Sequence, residues 1–163
     1  MIRTRTLLIA LVLAILVQAS IVPYLAMGMF RPNLPLLVLI FIAARRGPYF
    51  GVIVAFFAGL FVDLLSTGFL GLSSFSFSIV AFLVGKAFYT DVPMSIGRWA
   101  VASSVATVIY SVLFMYIYTL GTEAPLLTVI IKQALPTALY TWVLGMFWAI
   151  SPLYERRGGV RLD

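Results

Sequence analysis

Asp63 is the one carboxylate set inside an apolar run of this 163-residue sequence, and Arg31, Lys132 and Gln133 are the strongly polar residues placed near the ends of other such runs. These residues bound the chemistry. A single carboxylate cannot form an aspartyl-protease dyad, in which two acids share a proton. The chain has no histidine and no cysteine, which removes imidazole bases, thiolate nucleophiles, disulfides and Cys/His metal sites. A serine–lysine pair would need a motif around Lys132, and none is present. Lipid phosphoryl transfer would call for several acids to hold a metal or a basic cluster to hold phosphate, and the sequence offers neither that nor a phosphate loop. The expectation is a protein that is not an enzyme and that uses no metal and no cofactor.

Two uses of Asp63 remain. Intramembrane charges are functional-site candidates, and Asp63, Arg31, Lys132, Gln133 and nearby serines could line a pocket open to the outside. The favoured alternative is an ion pair that holds helices together, Asp63 with Arg31, or with Lys132 as the competing partner. Asp63 also ends a row of small residues spaced four apart, Gly47, Gly51, Ala55 and Gly59. Positions four apart share a helix face, and small side chains there let a second helix approach to backbone contact. The row is expected to be a packing seam, within the chain or toward a partner.

The elements that must position these residues are hydrophobic helices. Apolar residues make up 63% of the chain and charged residues 10%, with a mean hydropathy of +1.13, against roughly a quarter charged in ordinary soluble domains. The pattern predicts an all-α integral membrane protein, one membrane-embedded domain over 1–163, with six transmembrane helices in a compact bundle. They are expected over Thr6 to Phe30, Leu34 to Ala44, Pro48 to Leu65, Leu72 to Phe88, Trp99 to Leu120, and Leu126 to Ile150, the last kinked near Pro136. On the fifth, Ala100, Ser104, Thr107 and Ser111 fall on one face and Tyr110, Phe114 and Tyr118 on another. Asn33 is placed as an N-cap. Arg3, Arg5, the run Leu7 to Val17 and Gln18-Ala19-Ser20 imitate a signal peptide, but the apolar stretch continues, and an uncleaved first helix is the simpler account.

Leu34 to Ala44 is short for a span, at about 16 Å, and five spans are the alternative to six. Charge decides between them. With six spans and both termini in the cytoplasm, nine of the eleven basic residues lie inside, and that side carries the whole net charge of +6. Without the second span every later loop would invert, against the positive-inside rule. The basic residues lie singly or in pairs at helix ends rather than in a stripe, so no nucleic-acid partner is expected.

Arg31-Pro32-Asn33-Leu34, Arg45-Arg46-Gly47, the run Gly59-Leu60-Phe61-Val62-Asp63-Leu64-Leu65-Ser66 and the turn Gly68-Phe69-Leu70-Gly71-Leu72 resemble the rod shape-determining MreD family. By motif the resemblance covers roughly 1–90, and beyond that length and hydropathy agree. It implies a multi-pass protein of the bacterial cytoplasmic membrane, a non-enzymatic scaffold of the cell-elongation and peptidoglycan-synthesis machinery. Its implied partners are MreC and, through it or directly, the MreB filament and the RodA-type polymerase with its transpeptidase. That family is in turn similar in size and helix number to the substrate-binding subunits of energy-coupling-factor vitamin transporters, which dock through an Ala-x-x-x-Ala pair. Ala10 and Ala14 have this spacing, and a vitamin-binding subunit is the second reading.

Overall fold

The computed structural model describes residues 4–20, 32–66, 69–90, 95–120 and 135–150. Among them are six helices and no strand: α1 (Thr4–Ser20), α2 (Leu34–Arg46), α3 (Pro48–Leu65), α4 (Leu72–Phe88), α5 (Ile96–Leu120) and α6 (Leu135–Ile150). Two of them, α3 over its whole length and α5 over Ile96–Ile117, are long and apolar enough to cross a membrane by length and composition, while α1 and α4 are apolar but slightly shorter.

The short α2 is the axis of the assembly. Asn33 starts it by accepting the Leu36 amide at 3.1 Å, Pro35 stands in its first turn, and Arg45 and Arg46 stand in its last turn, where cations complement the helix dipole. Every residue from Pro35 to Ala44 is buried. A helix that is apolar all round has no face to give to a polar phase and settles in the middle of its neighbours. Accordingly α2 packs against each of α1, α3, α4, α5 and α6. Its length, brief for a span read from the sequence, suits a helix surrounded on every side by protein.

Gly47 alone separates α2 from α3. Its φ of 86° lies in the left-handed region that side chains disfavour, and its amide reaches back to the Ala43 carbonyl at 3.0 Å. Proline at 48 then opens α3, where a missing N–H costs nothing. Helices α3 and α4 form an antiparallel hairpin with a readable register: Gly85 lies against Pro48, Gly51 faces Ala81, and Gly59 lies on the backbone of Ser73 and Ser74.

Helix α5 begins at Ile96, three residues before the expected Trp99, with the Trp99 amide bonded to the Ser95 carbonyl. Trp99 is fully buried and meets Phe41 edge-on, with ring centroids 6.1 Å apart. Its indole N–H donates to the Gly145 carbonyl, and the Trp142 indole donates to the Ala100 carbonyl, both at 3.2 Å. This reciprocal pair ties α5 to α6. Tyr110, expected on a different face of α5 from the small residues, is buried along with Thr107 and Ser111 and stacks on Phe77 and Phe114.

Pro136 stands in the first turn of α6, and the backbone before it, which the expected kink would involve, is outside the described residues. So are 21–31 and 126–134, the stretches expected to complete the first and sixth spans.

Candidate functional site

Asp63 sits two residues before the end of α3 and is 3% exposed. Its carboxylate accepts the Gly71 amide at 2.8 Å through Oδ2, the Ser73 amide at 3.1 Å through both oxygens, and the Ser74 amide at 3.4 Å through Oδ2. These are amides at the start of α4, which an α-helix leaves without internal partners. Gly71, the N-cap residue of α4, offers no side-chain cap and has a φ of 94°. Asp63 therefore caps α4 from the neighbouring helix. The negative charge also meets the positive end of the α4 dipole, which answers the cost of placing a carboxylate among apolar helices.

Of the rest of the row, Gly51, Ala55 and Gly59 lie on the same face of α3, whereas Gly47 stands in the break just before the helix. Gly47, Gly51, Ala55 and Gly59 are all buried, with Ala55 completely enclosed. A Cβ on Gly59 would collide with the Ser74 backbone, and one on Gly51 would come within 2.9 Å of the Ala43 Cβ. Gly47 lies beneath the ring of Tyr89. The Ser74 hydroxyl donates across the seam to the Phe56 carbonyl at 3.1 Å. The row thus meets helices α2 and α4 of its own chain. Arg31 and Lys132, the two partners expected for Asp63, lie outside the described residues, as does Gln133.

A second polar group stands at the same end of the bundle, around the break before α2. Gln18 of α1 donates through Nε2 to the Pro32 carbonyl at 2.9 Å and accepts the Leu34 amide through Oε1 at 3.0 Å. Thr141 of α6 accepts the Asn33 amide at 3.1 Å and donates to the Thr137 carbonyl at 2.8 Å. The sequence marks Asn33 as a cap but shows Gln18 only within a run that imitates a signal peptide and gives Thr141 no role, because nothing local marks a side chain that serves a backbone break 14 or 108 residues away. The cap on α4 did leave a local sign, an acid shortly before a Gly-Leu-Ser-Ser helix start.

At the opposite end lie Arg5, Arg45, Arg46, Lys86 and Arg98, from the start of α1, the ends of α2 and α4 and the start of α5. Arg45 lies over the Phe41 ring, 5.5 Å from its centroid, and Lys86 over the Phe82 ring at 6.0 Å. Ala10 and Ala14 of α1 are half-buried against the core of this chain. Chemically, the Asp63 arrangement fastens two helices. Its oxygens are engaged by backbone amides that no reaction consumes.

The family model of the rod shape-determining protein MreD matches residues 1–154. No curated protein and no solved structure matches the chain.

Proposed function

This chain belongs to the rod shape-determining protein MreD family, whose members are membrane-associated proteins with a role in determining rod shape, and from that premise we propose that it is a six-span, non-enzymatic scaffold that binds MreC. Both termini are on the cytoplasmic side in this reading, and the chain is a single membrane-embedded domain of the bacterial cytoplasmic membrane. Through MreC or directly it connects to the MreB filament and to the RodA-type polymerase with its transpeptidase.

The observation that carries the reading is the occupation of Asp63. The residue best placed for catalysis or ion coupling has its carboxylate engaged by three amides at the start of α4, which is the work of a framework. The gathering of Arg5, Arg45, Arg46, Lys86 and Arg98 at one end supports a cytoplasmic location for that end.

The test is affinity purification of the tagged chain from native membranes, followed by detection of MreC, together with depletion of the protein in rod-shaped cells. Co-purification with MreC and rounding of the cells are expected. Cells that stay rod-shaped after depletion, with no paralogue present, would count against the scaffold role, and a clean purification without MreC would remove the proposed partner.

A further inference from the structure

Helices α3 and α4 leave a groove of about 630 Å³ on their outer side, lined chiefly by Val52, Ile53, Phe56, Leu60, Phe75 and Ser78. Its two hydroxyl groups do not make it polar. The Ser74 hydroxyl is spent on the Phe56 carbonyl and the Ser78 hydroxyl on the Ser74 carbonyl at 2.7 Å. Whatever fills the groove must therefore be hydrocarbon along this length.

One end of the groove leads to a cation. Phe75, Ser78, Phe82 and Lys86 fall at helical spacings that put them on one face of α4, so the Phe75 and Ser78 wall continues past Phe82 to Lys86. Phe82 and Lys86 are both exposed, and the ammonium lies over the ring at 6.0 Å. Tyr49, 81% exposed, continues the α3 wall in the same direction. The register of the hairpin sets Gly85 level with Pro48 and Gly51 level with Ala81, so the groove, which starts at Val52, begins about 7 Å from Lys86 along the helix axis and reaches Gly71 at about 22 Å. Half of a ~30 Å hydrocarbon core is about 15 Å, and a chain of that length anchored at Lys86 enters the groove. The one carboxylate among the described residues, Asp63, is at the far end, whereas Arg5, Arg45, Arg46 and Arg98 share the end that holds Lys86.

We propose that the α3–α4 groove binds an anionic phospholipid, with an acyl chain along Val52, Phe56, Phe75 and Ser78 and the headgroup phosphate at Lys86. The proposal rests on α3 and α4 crossing the membrane, and on nothing about MreC. A neutral or zwitterionic lipid satisfies the groove but not the cation, and a free phosphate satisfies the cation but not the groove.

The experiment is native mass spectrometry of the full chain in detergent, titrated with phosphatidylglycerol, with phosphatidylcholine of the same acyl chains, and with glycerol phosphate. Lys86→Gln is expected to weaken phosphatidylglycerol binding about five-fold, the factor expected for one basic residue near an anionic headgroup, while Lys86→Arg keeps it. Ser78→Phe, which fills the groove, should weaken binding of both lipids, and Ile53→Trp does the same from the α3 side should the first variant fail to fold. Arg5→Gln, at the same end of the bundle on α1, should leave binding unchanged. Equal retention of the two lipids, equal loss in the Arg5 and Lys86 variants, or full binding by glycerol phosphate alone would each overturn the proposal. Folded protein with no lipid preference would do so while leaving the scaffold reading intact.

Discussion

The Asp63 carboxylate accepts the Gly71 amide at 2.8 Å across the turn between α3 and α4, so the last turn of one helix supplies the cap of the next. The arrangement replaces a local N-cap, since Gly71 has no side chain to serve that purpose, and it brings the carboxylate to the positive end of the α4 dipole.

Asp63→Ala removes both the charge and the acceptors, leaving the first-turn amides of α4 unpaired in a buried place. Loss of a helix cap costs about 0.5–2 kcal/mol, and hydrogen bonds to charged groups sit at the upper end of the scale. Asp63→Asn keeps one acceptor and should lose less. Thermal unfolding in detergent should rank the wild type above Asn and Asn above Ala. The same measurement on an Asp63→Ala, Arg31→Ala pair tests the ion pair expected from the sequence: losses that merely add would place Arg31 outside the interaction.

Gly59→Ala puts a methyl group onto the Ser74 backbone, which cannot move aside as a flexible side chain can. The hairpin must open by about 1 Å to restore ordinary contact, and overpacking of this kind costs about 1–3 kcal/mol. Gly97→Ala meets nothing within 4 Å and serves as the control. Comparable melting temperatures for the two variants would show that the seam is not closely packed.

Thr141→Val keeps shape while removing the acceptor of the Asn33 amide, and Gln18→Leu removes both contacts to the Pro32 carbonyl and Leu34 amide. Each leaves buried or half-buried backbone groups unpaired, at about 1–3 kcal/mol per group. Because both side chains hold the same break before α2, the double variant should depart from the sum of the singles. Strict additivity in chemical denaturation would show that α1 and α6 grip this break independently.

Topology is open to direct measurement. Reporter fusions after Glu123 and at Asp163 should read external and cytoplasmic respectively, as the distribution of basic residues requires. An external signal at Asp163 would reject the six-span arrangement with both termini inside.

Helix identity was largely legible from the chain alone because it depends on local properties: runs without charge, Pro48 at the start of the third run, and Asn33 as a cap. Hydrocarbon leaves a backbone little choice except to satisfy its own hydrogen bonds, so hydropathy largely dictates where helices form. The small-residue row and Asp63 were also visible as a pattern, together with the family resemblance carried by Arg31-Pro32-Asn33 and the Gly59 to Ser66 run. What only the tertiary structure decided is which surfaces those residues serve. Apolar residues cover nearly every face of these helices, so the sequence carries little contrast between a side left exposed and a side that meets another helix. The enclosure of α2 by five neighbours, the turn of Tyr110 into the core and the clasp of Gln18 and Thr141 on the backbone before α2 all depend on packing and on unpaired backbone groups brought together from distant positions. Asp63 shows both sides of this division: its cost in an apolar run marked it in the sequence, and its use by the amides of α4 required the hairpin to close.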